Sequence, residues 1–112
     1  MRDRVTPDTQ ARMWHVQIQA LKLSVFVAER DGRPVEVRVI GGGPLALTLA
    51  DLCEALTIGL SRGVPLYAYT RTLRGRCDEL GGPVVGDPLV TECGSLGDYL
   101  ARALDARYEA PA

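Results

Sequence analysis

Apolar and polar residues alternate over residues 14–39. The even positions from 14 to 28 are mostly apolar, which predicts one long strand with that parity on its core face. The dipeptide Asp31-Gly32 then supplies the positive φ angles that a two-residue hairpin loop requires. Valines alternate with charged residues over 35–39, which predicts a second, half-buried strand. In this register Phe26 lies opposite Val37.

A helical period replaces the alternation at Thr48. The segment 48–51 (Thr-Leu-Ala-Asp) has the form of a capping box with Asp in place of Glu. Five apolar residues at helical spacing form one stripe: Leu49, Leu52, Cys53, Leu56 and Leu60. Gly63 is the residue type that accepts the left-handed position after a helix, so we expect the helix to stop there. The first half is therefore predicted to be a ββα unit.

The second half has a similar pattern. Alternation over 64–69 predicts a third strand, and the proline-broken segment 83–91 predicts a short strand at a sheet edge. A last helix should begin at Ser95, because Ser95-Leu-Gly-Asp98 repeats the capping pattern. The predicted fold is α+β, with a mainly antiparallel four-stranded sheet and two helices in ββαββα order. The likeness of the halves indicates either a degenerate tandem repeat or two units that share common caps.

Length and composition define the class of protein. The 112 residues predict a flexible N-terminal arm over 1–13, a single α+β domain over 14–108 and a disordered C-terminal tail over 109–112. The net charge of −1 argues against nucleic acid and an anionic membrane as partners. We find no apolar run of about 18 residues and no apolar core of a signal peptide. The near-exclusive use of arginine over lysine suggests a GC-rich bacterial genome.

The candidates for chemistry are few. His15 is the only histidine and has no predicted partner to orient it as a base. Cys53 lies in the apolar stripe of the first helix, and Cys77 and Cys93 have no CxxC spacing. The sequence thus predicts no catalytic residue, metal site or cofactor, and it leans against an enzyme without settling the point. Unpaired cysteines favour the reducing cytoplasm.

Two groups of residues are candidate interaction surfaces. The first is a second apolar stripe on the long strand: Leu21, Leu23, Val25 and Val27. Such a stripe needs a cover, either the second helix or a second subunit, and we favour a homodimer. The second is a patch of residue types that are enriched in protein interfaces: Tyr67, Tyr69, Arg71, Arg74 and Arg76. This patch could also stack on single-stranded nucleic acid, but the carboxylates of Asp78 and Glu79 argue against that.

These features favour a small non-enzymatic protein-interaction module of the adaptor or immunity type. Its partner would be a second copy of the chain or another protein. The alternative is a ligand-binding or enzymatic domain with a cleft between the sheet and a neighbouring subunit, lined by Tyr67, Tyr69 and Arg71. A concave pocket with convergent polar groups would favour the alternative.

Overall fold

The first three strands form an antiparallel meander. The computed structural model describes residues 9–108, with β1 at Thr9–Ile18, β2 at Leu21–Arg30 and β3 at Arg33–Gly41. A 3-10 turn at Gly43–Leu45 leads into α1, and the remaining elements are α1 (Ala46–Ser61), α2 (Leu66–Leu73), β4 (Gly82–Val85), β5 (Glu92–Cys93) and α3 (Leu96–Arg107). The sheet order is β3-β2-β1-β4-β5, and the pairs are antiparallel.

The predicted α+β class with an antiparallel sheet is confirmed. The details differ, because the described residues form five strands and three helices in the order βββααββα. The ββαββα order is therefore wrong, and the halves are not two copies of one ββα unit. Residues 9–13 of the predicted arm belong to β1. Residues 1–8 and the predicted tail, 109–112, lie outside the described part of the chain.

The long strand of the sequence prediction is a hairpin. Ile18 pairs with Leu21, so Gln19 and Ala20 form a two-residue loop, and Gln19 has a φ of 54°. The Gln19 side-chain amide donates to the carbonyl oxygens of Glu79 and Gly81, at 2.8 and 2.6 Å. These bonds hold a non-glycine residue in a conformation that few residues adopt. The loop reverses the parity, so odd positions of β2 face the core.

The reversed parity changes the role of the predicted interface stripe. Leu23, Val25 and Val27 are 4%, 0% and 0% exposed, and Leu21 packs against the core they belong to. Side chains this buried cannot contact a second subunit. Of the two covers considered from the sequence, the structure has the intramolecular one, and we therefore do not propose an interface through this face.

The second hairpin has the predicted loop. Asp31 and Gly32 have φ angles of 55° and 77°, and Arg30 pairs with Arg33. A register shift between Ala28 and Glu29 then moves the pairing by one residue. Val27, not Phe26, therefore lies opposite Val37, and this part of the predicted register is wrong.

Helix α1 begins earlier than the capping pattern predicted. Leu45 occupies the N-cap without a side-chain bond, so Thr48 and Asp51 lie inside the helix. Residues Gly43–Ser61 are long and apolar enough to cross a membrane, contrary to our reading of the sequence. The same segment buries Leu49 and Leu56 within the domain.

The outer edge of β3 is covered by side chains of α1. The Thr57 hydroxyl accepts from the Val37 amide at 2.9 Å and donates to the Val37 carbonyl at 3.1 Å. One turn earlier, the Cys53 thiol accepts from the Val39 amide, and burial raises the pKa of Cys53 to about 11. Helix α1 thereby replaces a neighbouring strand and protects the edge from other chains. Cys53 is buried, as predicted.

The predicted third strand is instead helix α2. Pro65 stands immediately before its first residue, and Leu66 and Thr70 are buried one turn apart on a single face. Helix α2 packs against α3. The last helix is confirmed where it was predicted, with Ser95 at its N-cap.

Candidate functional site

One face of the sheet carries none of the described helices. Core residues of all three helices join the inward side chains of the sheet in a single cluster. The opposite side, here called the helix-free face, is formed by the outward side chains of Met13, His15, Gln17, Lys22, Ser24, Phe26, Arg38, Ile40 and Val85. Met13, Ile40 and Val85 are 56%, 61% and 67% exposed. Large apolar side chains therefore face solvent on β1, β3 and β4.

The middle of the helix-free face is polar. His15 Nδ1 lies 2.7 Å from Ser24 Oγ, and Ile40 sits opposite Ser24 on the next strand. Phe26 lies between Met13 and Arg38 in the neighbouring row. His15 is exposed, and among the described residues its bonded partner is a serine rather than a carboxylate. The arrangement lacks the orienting group that a general base needs.

A cleft of about 410 Å³ opens at the end of the β2–β3 hairpin. Its walls come from the hairpin loop, the end of α1, the start of α2 and the residue after α3. Arg30 and Arg33 line it together with Leu60, Val64 and Tyr108. The Tyr108 hydroxyl donates to Glu29 Oε2 at 2.6 Å, which leaves the ring as its contribution to the wall. Burial, reinforced by Glu29, raises the pKa of Tyr108 above its usual range.

A buried polar cluster joins β1 to α3 through Asp87. The Tyr99 hydroxyl donates to Asp87 Oδ2 at 2.7 Å and accepts from Trp14 Nε1 at 2.7 Å. Arg107 donates to Asp87 Oδ1 at 3.0 Å and stacks 3.8 Å from the Trp14 ring centroid. Burial would raise the pKa of Asp87, but bonds from Arg107, Tyr99 and the Leu89 amide outweigh it and lower that pKa. The cluster has its donors satisfied internally and therefore acts as a structural clamp.

A second buried carboxylate fixes the loops before α3. Asp98 is 0% exposed and accepts from the amides of Gly75 and Gly94 at 2.6 and 2.8 Å. Arg102 Nε donates to the same carboxylate at 2.7 Å. Burial would raise the pKa of Asp98, but these donors outweigh it and lower that pKa. The sequence indicated only a helix-capping role for Asp98, whereas it also joins two distant loops.

The structure places the predicted patch of tyrosines and arginines on α2 and the residues just after it, with Tyr67 and Arg71 one turn apart. Tyr67 is 37% exposed on α2, but the Tyr69 hydroxyl packs against Gly59 of α1. Arg71 is exposed, Arg74 pairs with Asp105 at 3.0 Å, and Arg76 Nε donates to the Thr72 carbonyl. A partner-binding role for these residues stays a prediction.

The remaining cysteines lie close together around Gly94. Cys77 is exposed and its sulfur packs against Gly94, whereas Cys93 is buried. Burial raises the pKa of the Cys93 thiol, which disfavours the reactive thiolate. Within residues 9–108, no group of three or more His, Cys, Asp or Glu side chains could hold a metal ion.

Sequence reasoning missed the cleft and Asp87. The cleft combines segments that lie far apart along the chain, and none of them carries a binding motif. The pattern Asp87-Pro88 was visible as a turn signal, but no local feature distinguishes a buried aspartate from an exposed one. The pair Arg30 and Arg33, which flanks the predicted Asp31-Gly32 loop, is a sign of the cleft in the sequence.

Comparison with known proteins identifies one relationship. A family model described as the TSCPD domain matches residues 2–108. No curated protein and no solved structure matches the chain. The matched residues include the whole described sheet, the three helices and the residues of both the helix-free face and the cleft.

Proposed function

The chain belongs to the TSCPD domain family, and we propose that it is a small non-enzymatic protein-interaction module that works as a homodimer. The observation that carries this proposal is the exposure of Met13, Ile40 and Val85 on the helix-free face. Isolated exposed apolar residues are normal on a monomer, but a group on one sheet face is typical of an interaction site. The proposed role is that of an adaptor or immunity-type partner.

Burial of the helix-free face provides the driving force. Removing a large apolar side chain from water contributes about 1.5–3 kcal/mol, so burying Met13, Phe26 and Ile40 favours association. Two sheets can pack face to face at a distance of about 10 Å, with interdigitating side chains. A second copy supplies a surface of the same shape, and a twofold axis closes the assembly without leaving a free face.

The covered edge of β3 supports contact through the face rather than through that edge. Thr57 and Cys53 already occupy backbone groups of Val37 and Val39 that an added strand would need. Pairing of two β3 edges would require α1 to leave its place. The proposed dimer therefore differs from one built by adding strands to a continuous sheet.

A reducing cytoplasm is the proposed compartment. Cys53, Cys77 and Cys93 are free thiols in the structure. The exposed Cys77 would be open to oxidation in a secreted protein, whereas a reducing environment keeps it as a thiol.

Analytical ultracentrifugation tests the proposal directly. We expect the wild-type chain to sediment as a dimer at micromolar concentration. Met13→Asp/Ile40→Asp should sediment as a monomer with an unchanged circular dichroism spectrum, because it places two charges on the helix-free face. The matched control is Leu47→Asp, since Leu47 is 73% exposed but belongs to α1; this variant should remain a dimer.

The homodimer would be ruled out if the wild-type protein is monomeric at these concentrations. An interface through the helix-free face would be ruled out if the double variant dimerises as the wild type does. Dissociation of the Leu47→Asp control together with the double variant would show that the interface is not confined to the helix-free face and involves α1 as well.

A further inference from the structure

The cleft beside the β2–β3 hairpin has a charged rim and an apolar wall. Leu60 and Leu66 are 7% and 8% exposed, and Val64 lies at the surface between them. Arg30 and Arg33 line the same cleft, with Asp31 between them in the loop. The formal charge of these three side chains is +1, so the rim attracts anions.

The two rim arginines belong to the half of the ten arginines in residues 9–108 that form no ion pair with a carboxylate of those residues. Five others pair with a carboxylate at 3.0 Å or less: Arg12 with Glu29, Arg38 with Glu36, Arg74 with Asp105, Arg102 with Asp98 and Arg107 with Asp87. Within residues 9–108, neither Arg30 nor Arg33 forms such a pair. Both guanidinium groups therefore keep their donors free for a ligand.

The position of the two arginines in the strand pair makes the missing carboxylate partners costly. Arg30 and Arg33 are directly opposite each other across the hairpin. Like charges in this position destabilise a strand pair. A bound anion between the two guanidinium groups would remove the repulsion, and the planar fork of arginine suits carboxylate and phosphate oxygens.

We propose that the cleft binds a small organic anion, with its carboxylate or phosphate between Arg30 and Arg33 and its apolar part against Leu60, Val64 and the Tyr108 ring. The volume of about 410 Å³ lies within the range of small-molecule sites, which runs from about 300 to 1,000 Å³. This binding does not depend on the homodimer, because the cleft shares no residue with the helix-free face.

Amide chemical-shift titrations with defined probes test the inference. Phenyl phosphate and benzoate share an aromatic body and differ in the anionic group, and benzamide is the neutral counterpart of benzoate. We expect saturable shifts of the Gly32 and Gly63 amides with at least one anion and not with benzamide. Arg30→Gln/Arg33→Gln should weaken that binding by about tenfold or more, because it removes both charge-assisted contacts. Arg71→Gln, which changes an exposed arginine outside the cleft, is the control and should bind as the wild type does.

A second variant tests the apolar part of the cleft while leaving both arginines in place. Val64→Trp should fill the space and weaken binding of the same probe, and it serves as an independent test if the arginine variant is unstable. The proposal is overturned if neither anion gives saturable shifts at the cleft, if benzamide binds equally well, or if both variants bind as the wild type does. Binding of phenyl phosphate alone would identify a phosphate ligand, and binding of benzoate alone a carboxylate ligand.

Discussion

The starts of α1 and α3 resemble each other in sequence and differ in structure. Both carry a hydroxyl residue followed three positions later by aspartate, at Thr48–Asp51 and Ser95–Asp98. In α3, Ser95 Oγ accepts from the Asp98 amide at 3.1 Å, and the Asp98 side chain is completely buried. In α1 the 3-10 turn at Gly43–Leu45 leads directly into the helix, and both residues are exposed within it.

The difference shows what a capping pattern can and cannot establish. A helix that continues from a 3-10 turn has no free start for a side chain to cap, so the same residues become surface positions. The start of α3 follows an extended N-cap residue, with Ser95 at a φ of −164°. The Asp98 carboxylate accepts from the Gly94 amide, just before this residue, and from the Gly75 amide in a distant loop. The same sequence pattern therefore stabilises the start of α3 and contributes little to the start of α1.

The largest difference in the free energy of unfolding should appear between variants of the two aspartates, Asp98 and Asp51. Asp98→Ala is expected to lower the free energy of unfolding by about 3 kcal/mol, because two buried amides and Arg102 lose their acceptor. Asp51→Ala should change it by less than about 0.5 kcal/mol, because Asp51 is exposed. Urea denaturation followed by circular dichroism measures both. Equal losses in the two variants would contradict the distinction between the helix starts.

Acid should weaken the α3 region selectively. The pKa values of Asp87 and Asp98 are lowered from 3.8 in the folded chain, so their contribution to stability is present above that pH and is lost as the pH falls through the folded values. We therefore expect the urea midpoint to fall on acidification below about pH 4. Asp98→Asn should show a smaller decrease than the wild type over the same interval. An equal decrease would mean that Asp98 does not contribute to the pH dependence.

Variants of the two hydroxyl residues, Ser95 and Thr48, should differ less in their stability. Ser95→Ala is expected to cost about 1 kcal/mol, because the Asp98 amide loses its acceptor. Thr48→Ala should stay within about 0.5 kcal/mol of the wild type, because Thr48 lies inside α1 and not at its N-cap. Thermal melts of the two variants side by side provide the measurement. A loss at Thr48 as large as that at Ser95 would show that Thr48 stabilises the helix in some other way.

Local signals in the sequence determined several elements. The Asp31-Gly32 loop requires positive φ at both positions, and few dipeptides accept this, so the hairpin could be located from its residue types alone. The cap at Ser95 and the apolar face of α3 likewise depend on neighbours within one or two turns. The α+β class followed from combining such elements, because their periods alternate along the chain.

Tertiary contacts decided the elements that local signals missed. Gln19 keeps a positive φ because its side chain binds carbonyl groups about sixty positions away, which no window of sequence can show. The segment at Leu66–Leu73 is helical because Leu66 and Thr70 find a buried environment on one helical face. Propensity differences amount to about 1 kcal/mol or less per residue, so burial of a few side chains overrides them.

The candidate sites depended on the tertiary structure for the same reason. Parity along β2 was read correctly within the strand, but one unrecognised loop exchanged the core face and the helix-free face. The cleft joins the hairpin loop, the end of α1 and Tyr108, which are distant in sequence. The residue types and their local periods are properties of the sequence itself. Which face is covered, and which distant residues share a cavity, is determined only when the chain packs, because these outcomes depend on long-range burial.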